Sequence, residues 1–193
     1  MLRLMICKVM PLIVAAVVAA SCGAPLLRAQ KHRPLTVESA MVDKEGRVHL
    51  RWSGVAEQVV PRDKDGYCEA SADETPHCED VGANQLQISG DRLSVGWVAE
   101  YNACCQSYPL PLVLLIARNG RVVQRIQPGR PVFDWRFEQG DRLVALFSDT
   151  SHGDYAPVCE LYDARTGKQL ASWDGPKSSE APRWAEPLEN NFQ

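Results

Sequence analysis

Long apolar runs are scarce in these 193 residues: the one conspicuous stretch is VMPLIVAAVVAA at positions 9–20. Its length falls short of the ~20 residues that cross a bilayer, so no spanning helix is expected. Basic charge is not in excess either, with 21 Lys and Arg against 24 Asp and Glu. A field of that sign repels phosphate backbones and argues against nucleic acid as a partner. After position 30 no segment keeps apolar residues at helical spacing for three turns, which excludes long helices. Cys-x-x-Cys pairs, the Gly-x-Ser-x-Gly elbow and the spaced carboxylates of a calcium loop are all missing, so the usual signatures of a zinc site, a serine hydrolase and an EF-hand are absent. What is present, 45% hydrophobic and 23% charged residues, is the composition of an ordinary globular domain.

The apolar run follows Arg3 and Lys8 with no acid before it, the layout of a signal peptide. Residues 1–29 are therefore expected to be a leader, cut after Ala29 in Leu27-Arg28-Ala29-Gln30. The alternative is a lipoprotein cut before Cys22, which would leave that cysteine lipidated and the protein membrane-anchored. Without Arg3, Lys8 and Arg28 the mature chain holds 18 basic against 24 acidic residues, a net charge near −6. Export makes Cys68, Cys78, Cys104, Cys105 and Cys159 candidates for disulfides in an oxidising compartment. Their odd number leaves a thiol over. Cys68 and Cys78 flank a polar loop, and a bridge closing it would contribute ~3 kcal/mol or less by loop entropy.

Period-two alternation dominates the body, as in Leu93, Val95, Trp97, Ala99 and again Leu143, Ala145, Phe147. It predicts strands over 35–42, 46–52, 84–89, 92–100, 111–118, 121–127, 131–137, 142–148, 157–163 and 168–173. Hairpin turns are expected at Asn119-Gly120, at Thr166-Gly167 and at Glu45-Gly46. An internal repeat ties these together. Gly90-Asp91-Arg92-Leu93 recurs as Gly140-Asp141-Arg142-Leu143, and Gly120 recurs as Gly167. Each unit holds four short strands, and residues 35–52 copy a hairpin of it. Residues 30–174 thus form the expected all-β domain. The polar tail 175–193 has a composition that usually stays mobile, with Trp184 as its one candidate for docking.

Ser89-Gly90-Asp91-Arg92-Leu93 and Leu161-Tyr162-Asp163-Ala164-Arg165-Thr166-Gly167-Lys168-Gln169-Leu170 resemble the opening and closing stretches of blades in bacterial β-propellers of the WD40 or TolB kind. The resemblance implies two four-stranded antiparallel blades plus an N-terminal hairpin. A closed propeller takes about four to eight blades, so an incomplete propeller, a sandwich-like pair or a ring completed by association of several chains is expected. Trp97 with the following Cys104-Cys105-Gln106-Ser107-Tyr108-Pro109 resembles a stretch in small exported bacterial proteins of unknown function, which implies export and no particular activity.

Several residue groups could carry chemistry. One of Cys104 and Cys105 is expected to bridge Cys159 or the 68–78 loop while the other is buried or free; the alternative is a strained, reducible bond between the two that could serve as a redox switch. His77-Cys78 with those two cysteines lacks metal-site spacing. Ser151-His152-Gly153-Asp154 holds the residue types of a hydrolase triad, but contiguous residues on one loop cannot form the relay. Glu69, Asp73, Glu74, Glu79 and Asp80 read as a solvated acidic loop, and His49, between Arg47 and Arg51, as a solvated strand face. Trp97, Trp135 and Trp173 read as core. No cofactor and no metal are expected. The leading expectation is a non-catalytic exported module that binds a protein or glycan partner of the cell envelope through the loop 101–109, with Tyr101, Asn102, Gln106, Ser107 and Tyr108 as contact groups. The alternatives are a hydrolase using His152 with Asp134 or Asp154, and a thiol redox protein using Cys104 and Cys105.

Overall fold

The computed structural model describes residues 34–63, 79–102, 107–150, 156–176 and 179–192. Its strands are β1 (Val37–Val42), β2 (Val48–Trp52), β3 (Gln58–Val59), β4 (Glu79–Ile88), β5 (Ser94–Asn102), β6 (Leu110–Arg118), β7 (Arg121–Ile126), β8 (Val132–Glu138), β9 (Leu143–Ser148), β10 (Val158–Asp163) and β11 (Gln169–Trp173). They form three antiparallel sheets, each in sequential order: β1-β2-β3, β4-β5-β6-β7 and β8-β9-β10-β11. None of them closes. The protein is all-β, with two four-stranded blades and a smaller N-terminal sheet, as the repeat predicted.

Local chemistry makes the turns. Asn119 and Gly120 both take positive φ, 51° and 78°, which is the requirement of a type I′ turn between β6 and β7. At the β10–β11 connection Asp163 folds its own loop: Oδ1 accepts from the Arg165 and Thr166 amides at 3.0 and 2.7 Å and from the Thr166 hydroxyl at 2.9 Å. Only Gly167 there is left-handed, with φ of 68°. A β-branched side chain resists the conformation of Gly120. Gly120→Val is therefore expected to lower the unfolding free energy by about 1 kcal/mol or more, measured by urea denaturation.

The sheets stack face to face. On one face of the first blade, Val95, Trp97, Ala99, Tyr101, Val113, Leu115 and Ala117 pack against Val37, Val48, Leu50 and Trp52 of the N-terminal sheet. On its other face Val98, Leu114, Ile116 and Ile126 meet Val132, Trp135, Val144 and Leu146 of the second blade. Burial on both faces explains why β5 is buried at nearly every position; its apolar run is almost continuous instead of alternating.

The two copies of the Gly-Asp-Arg-Leu repeat are neighbours in space, since Asp141 Oδ2 accepts from the Asp91 amide at 2.8 Å. Arg92, at φ of 57°, reaches the other way and donates to the Val37 and Glu38 carbonyls at 2.6 and 2.8 Å. The repeated turn thus pins both neighbouring layers.

The strand expectations and the observed elements differ in three places. β3 is too short to leave a pattern. β4 begins at Glu79 instead of Asn84, because Glu79, Asp80 and Gly82 are weak strand formers and register shifts at Asp80/Gly82 and Asn84/Gln87 break the alternation. The tail is the third difference. A 3-10 helix, Glu186–Phe192, buries Leu188 with Ala185 against Phe147, Cys159, Leu161 and Trp173 of the second blade, and Trp184 and Phe192 pack beside them. The phenyl of Phe192 meets Phe147 and Trp173 edge-on at 5.2 and 5.0 Å. This segment covers the blade's outer face and is not a free tail. Residues 1–29, the expected leader, lie outside the described residues, and among the described residues no helix is long and apolar enough to cross a membrane.

Candidate functional site

The N-terminal sheet has three strands where each blade has four. Its short third strand leaves the β7 side of the first blade incompletely covered. There a groove of about 520 Å³ runs between residues 60–63 and β7, with Leu115, Val122 and Val123 as apolar lining and Arg62, Asp63, Gln124 and Arg125 as polar lining. Val122 and Val123 are each 43% exposed. β7 is an outer strand of its sheet, and among the described residues no strand pairs with its free side.

One end of the groove is held by a buried polar tie. The Tyr101 hydroxyl donates to Asp63 Oδ2, and Arg125 Nε donates to the same oxygen at 2.9 Å. Arg125 also donates from Nη1 to Gln127 Oε1 at 2.7 Å. Burial, and after it the Asp63 carboxylate, raises the Tyr101 phenol above its ordinary range. Tyr101 therefore stays neutral and donates. Asp80 holds the same segment by accepting from the Asp63 amide at 2.6 Å and from the Gly82 amide at 3.1 Å. Its carboxyl rises above the usual value, chiefly by burial.

This geometry corrects the expected contact set. Tyr101 is fully buried in the core between the N-terminal sheet and the first blade, because β5 continues through it and its hydroxyl is spent on Asp63. It is a scaffold residue. Asn102, Ser107 and Tyr108 are exposed, Tyr108 at 48%, while Gln106 lies outside the described residues.

The other candidate groups fall as follows. Cys159 is a free thiol on β10, buried against Phe147 and Trp173, and not a bridge partner. Burial, then Asp134 and Glu160, pushes its thiol up to about 12, which suppresses the reactive thiolate. Cys68, Cys78, Cys104, Cys105, His77 and His152 lie outside the described residues. Of the acidic residues in the 69–80 stretch, Asp80 is committed to the backbone amides just named. Trp97, Trp135 and Trp173 each sit in a core cluster, one per layer interface.

Sequence reasoning missed the setting of His49. Its Nε2 lies 2.9 Å from Asp43 Oδ2 and its Nδ1 lies 3.0 Å from Glu57 Oε1. Both ring nitrogens face carboxylates, which favours the imidazolium form, in which each nitrogen donates. The hydrogen bond to Asp43, then that to Glu57, raises its pKa above the ordinary 6.5. Placement of His49 on the outer face between Arg47 and Arg51 was legible from alternation. The carboxylates were not, because Glu57 belongs to a loop without pattern.

A raised histidine pKa contributes stability that is complete below the unfolded value and is lost as pH rises through the folded value. Between about pH 5 and 9 the wild-type melting temperature is thus expected to exceed that of His49→Gln most at the acidic end. A gap that stays constant across the range would contradict the imidazolium assignment.

Comparison with known proteins returns no matching family model, no matching curated protein and no matching solved structure.

Proposed function

We propose that the protein is an exported, non-catalytic binding module that captures an extended segment of a protein partner in the cell envelope along the free side of β7. The observation that carries this reading is the open outer strand with Val122 and Val123 exposed beside a groove of about 520 Å³. An extended peptide laid on such a strand gains main-chain hydrogen bonds from the edge and side-chain contacts from alternate residues. The strand is presented by a rigid support, since β5 and β6 are buried on both faces. Asn102, Ser107 and Tyr108, at and after the end of β5, offer a second set of exposed contacts.

Phage-displayed linear peptides selected on the folded protein test the reading. Enrichment of a motif with apolar residues at alternate positions is expected, lost on Val122→Asp/Val123→Asp and retained on Tyr108→Ala. No enriched motif, or one bound equally by Val122→Asp/Val123→Asp with an unchanged melting temperature, overturns it. Loss of binding on Tyr108→Ala with retention on the valine variant would move the site to the loop.

A further inference from the structure

A second cleft lies where the turn between β6 and β7 meets the turn between β10 and β11. It measures about 200 Å³, and its lining includes Ser94, Arg118, Asn119, Arg121 and Arg165. Three arginines line this space, with no carboxylate residue among the lining. Concentrating like charge this way is unfavourable without a counter-charge, and it runs against the net −3 of the whole chain.

Nor is the positive charge neutralised by ion pairs. Arg118 donates only its Nε, to Ser94 Oγ at 2.9 Å. That hydroxyl belongs to a buried residue whose amide donates to Ser89 Oγ at 2.9 Å, so the Arg118 stem is fixed while its terminal nitrogens keep their donors. Among the described residues the guanidinium groups of Arg121 and Arg165 make neither a hydrogen bond nor an ion pair. The nearby Asp163 carboxylate accepts from the backbone and hydroxyl of its own turn, and it attracts Arg165 through space without forming an ion pair. Both exposed arginines leave rigid turns: Arg121 follows the Asn119-Gly120 pair, and Asn119 is itself held by accepting from the Leu35 amide at 3.1 Å.

We infer that this cleft is a binding site for a phosphate group, recognised by Arg118, Arg121 and Arg165 between the two blades. A guanidinium fork matches the oxygens of a tetrahedral oxyanion and donates two parallel hydrogen bonds. A carboxylate would engage one fork and leave two cations unneutralised, whereas phosphate brings about two charges and enough acceptors for all three. A cleft of this size takes the phosphate with a small attached group and not a large ligand, since pockets for drug-sized molecules run to about 300–1,000 Å³. Val123 lines both this cleft and the β7 groove, but Arg118, Arg121 and Arg165 do not line that groove, so phosphate recognition by the arginines does not need the strand's free edge.

Titration of the full chain with sodium phosphate at constant ionic strength, followed by amide chemical shifts, tests the assignment. Saturable shifts at Ser94, Asn119, Arg121 and Arg165 are expected, absent with sodium chloride. Arg121→Gln and Arg165→Gln should each weaken binding about tenfold, the loss of one charge-assisted contact, and the double variant should show no saturation. Arg136→Gln, which removes an arginine paired with Glu138, should bind as the wild type does. O-phosphoserine and glucose 6-phosphate distinguish the sources: binding of either identifies an ester as the ligand class, and binding of free phosphate alone identifies the inorganic ion, both supporting the site. Shifts that never saturate, or that persist unchanged in the double variant, overturn it.

Discussion

Gly96→Ala is expected to lower the unfolding free energy by about 2–3 kcal/mol, the upper part of the range for overpacking a well-packed core. Gly96 lies in β5 against the second blade, where a Cβ would stand 2.5 Å from Cη2 and 3.1 Å from Cζ2 of Trp135, with the Leu115 carbonyl oxygen at 3.3 Å. The indole cannot slide away freely. Its Nε1 donates to the Gln85 carbonyl at 2.8 Å, and Gln87 donates to the Trp135 carbonyl from the same strand. Gln85 itself is left-handed, φ 49°, in the stretch of β4 where the register shifts between Asn84 and Gln87. Trp135→Leu relieves the clash while losing ring contacts. The double variant should therefore be more stable than the sum of the single effects predicts, as read from urea denaturation. Additive effects would mean that the two layers are not joined at this point.

The second large effect belongs to the C-terminal segment. Removing residues 176–193 takes Ala185, Leu188 and Phe192 away from Phe147, Trp173 and Cys159. Loss of a buried leucine alone costs about 2–5 kcal/mol, so the truncated chain should lose stability on the order of 3–5 kcal/mol. Truncation should also open Cys159 to a thiol reagent. In the intact protein the thiol is buried and its pKa is pushed up to about 12. Mass mapping of maleimide-labelled protein should find Cys159 modified in the truncated chain and protected in the full one. Equal labelling would contradict the docking.

These two contacts mark the limit of what the chain reveals on inspection. Turn chemistry was legible because it is local: Asn119-Gly120 and Thr166-Gly167 carry their conformational requirement in their own residues. Strand positions were legible because a blade repeats, and the second copy of Gly-Asp-Arg-Leu fixes how to read the first. The apposition of Gly96 and Trp135 joins residues on different sheets, and nothing in either neighbourhood announces it. The tail misled through composition. Ala185, Leu188 and Phe192 pack on the second blade, yet seven residues of 3-10 helix are too brief for periodicity to outweigh Pro, Ser and charge. The polar tie of Asp63 to Tyr101 and Arg125 was hidden for the same reason as the Gly96 contact, and it removed Tyr101 from the expected contact set.

Amide hydrogen exchange on the intact protein tests the layered account most directly, because it reads burial and edge character strand by strand. Slowest exchange is expected in β5, β6, β9 and β10, the inner strands of the two blades, with β7 showing fast exchange at the amides that face away from β6. Protection of every β7 amide to the level of β6 would mean that its free side is already paired, and the proposed binding edge would not exist.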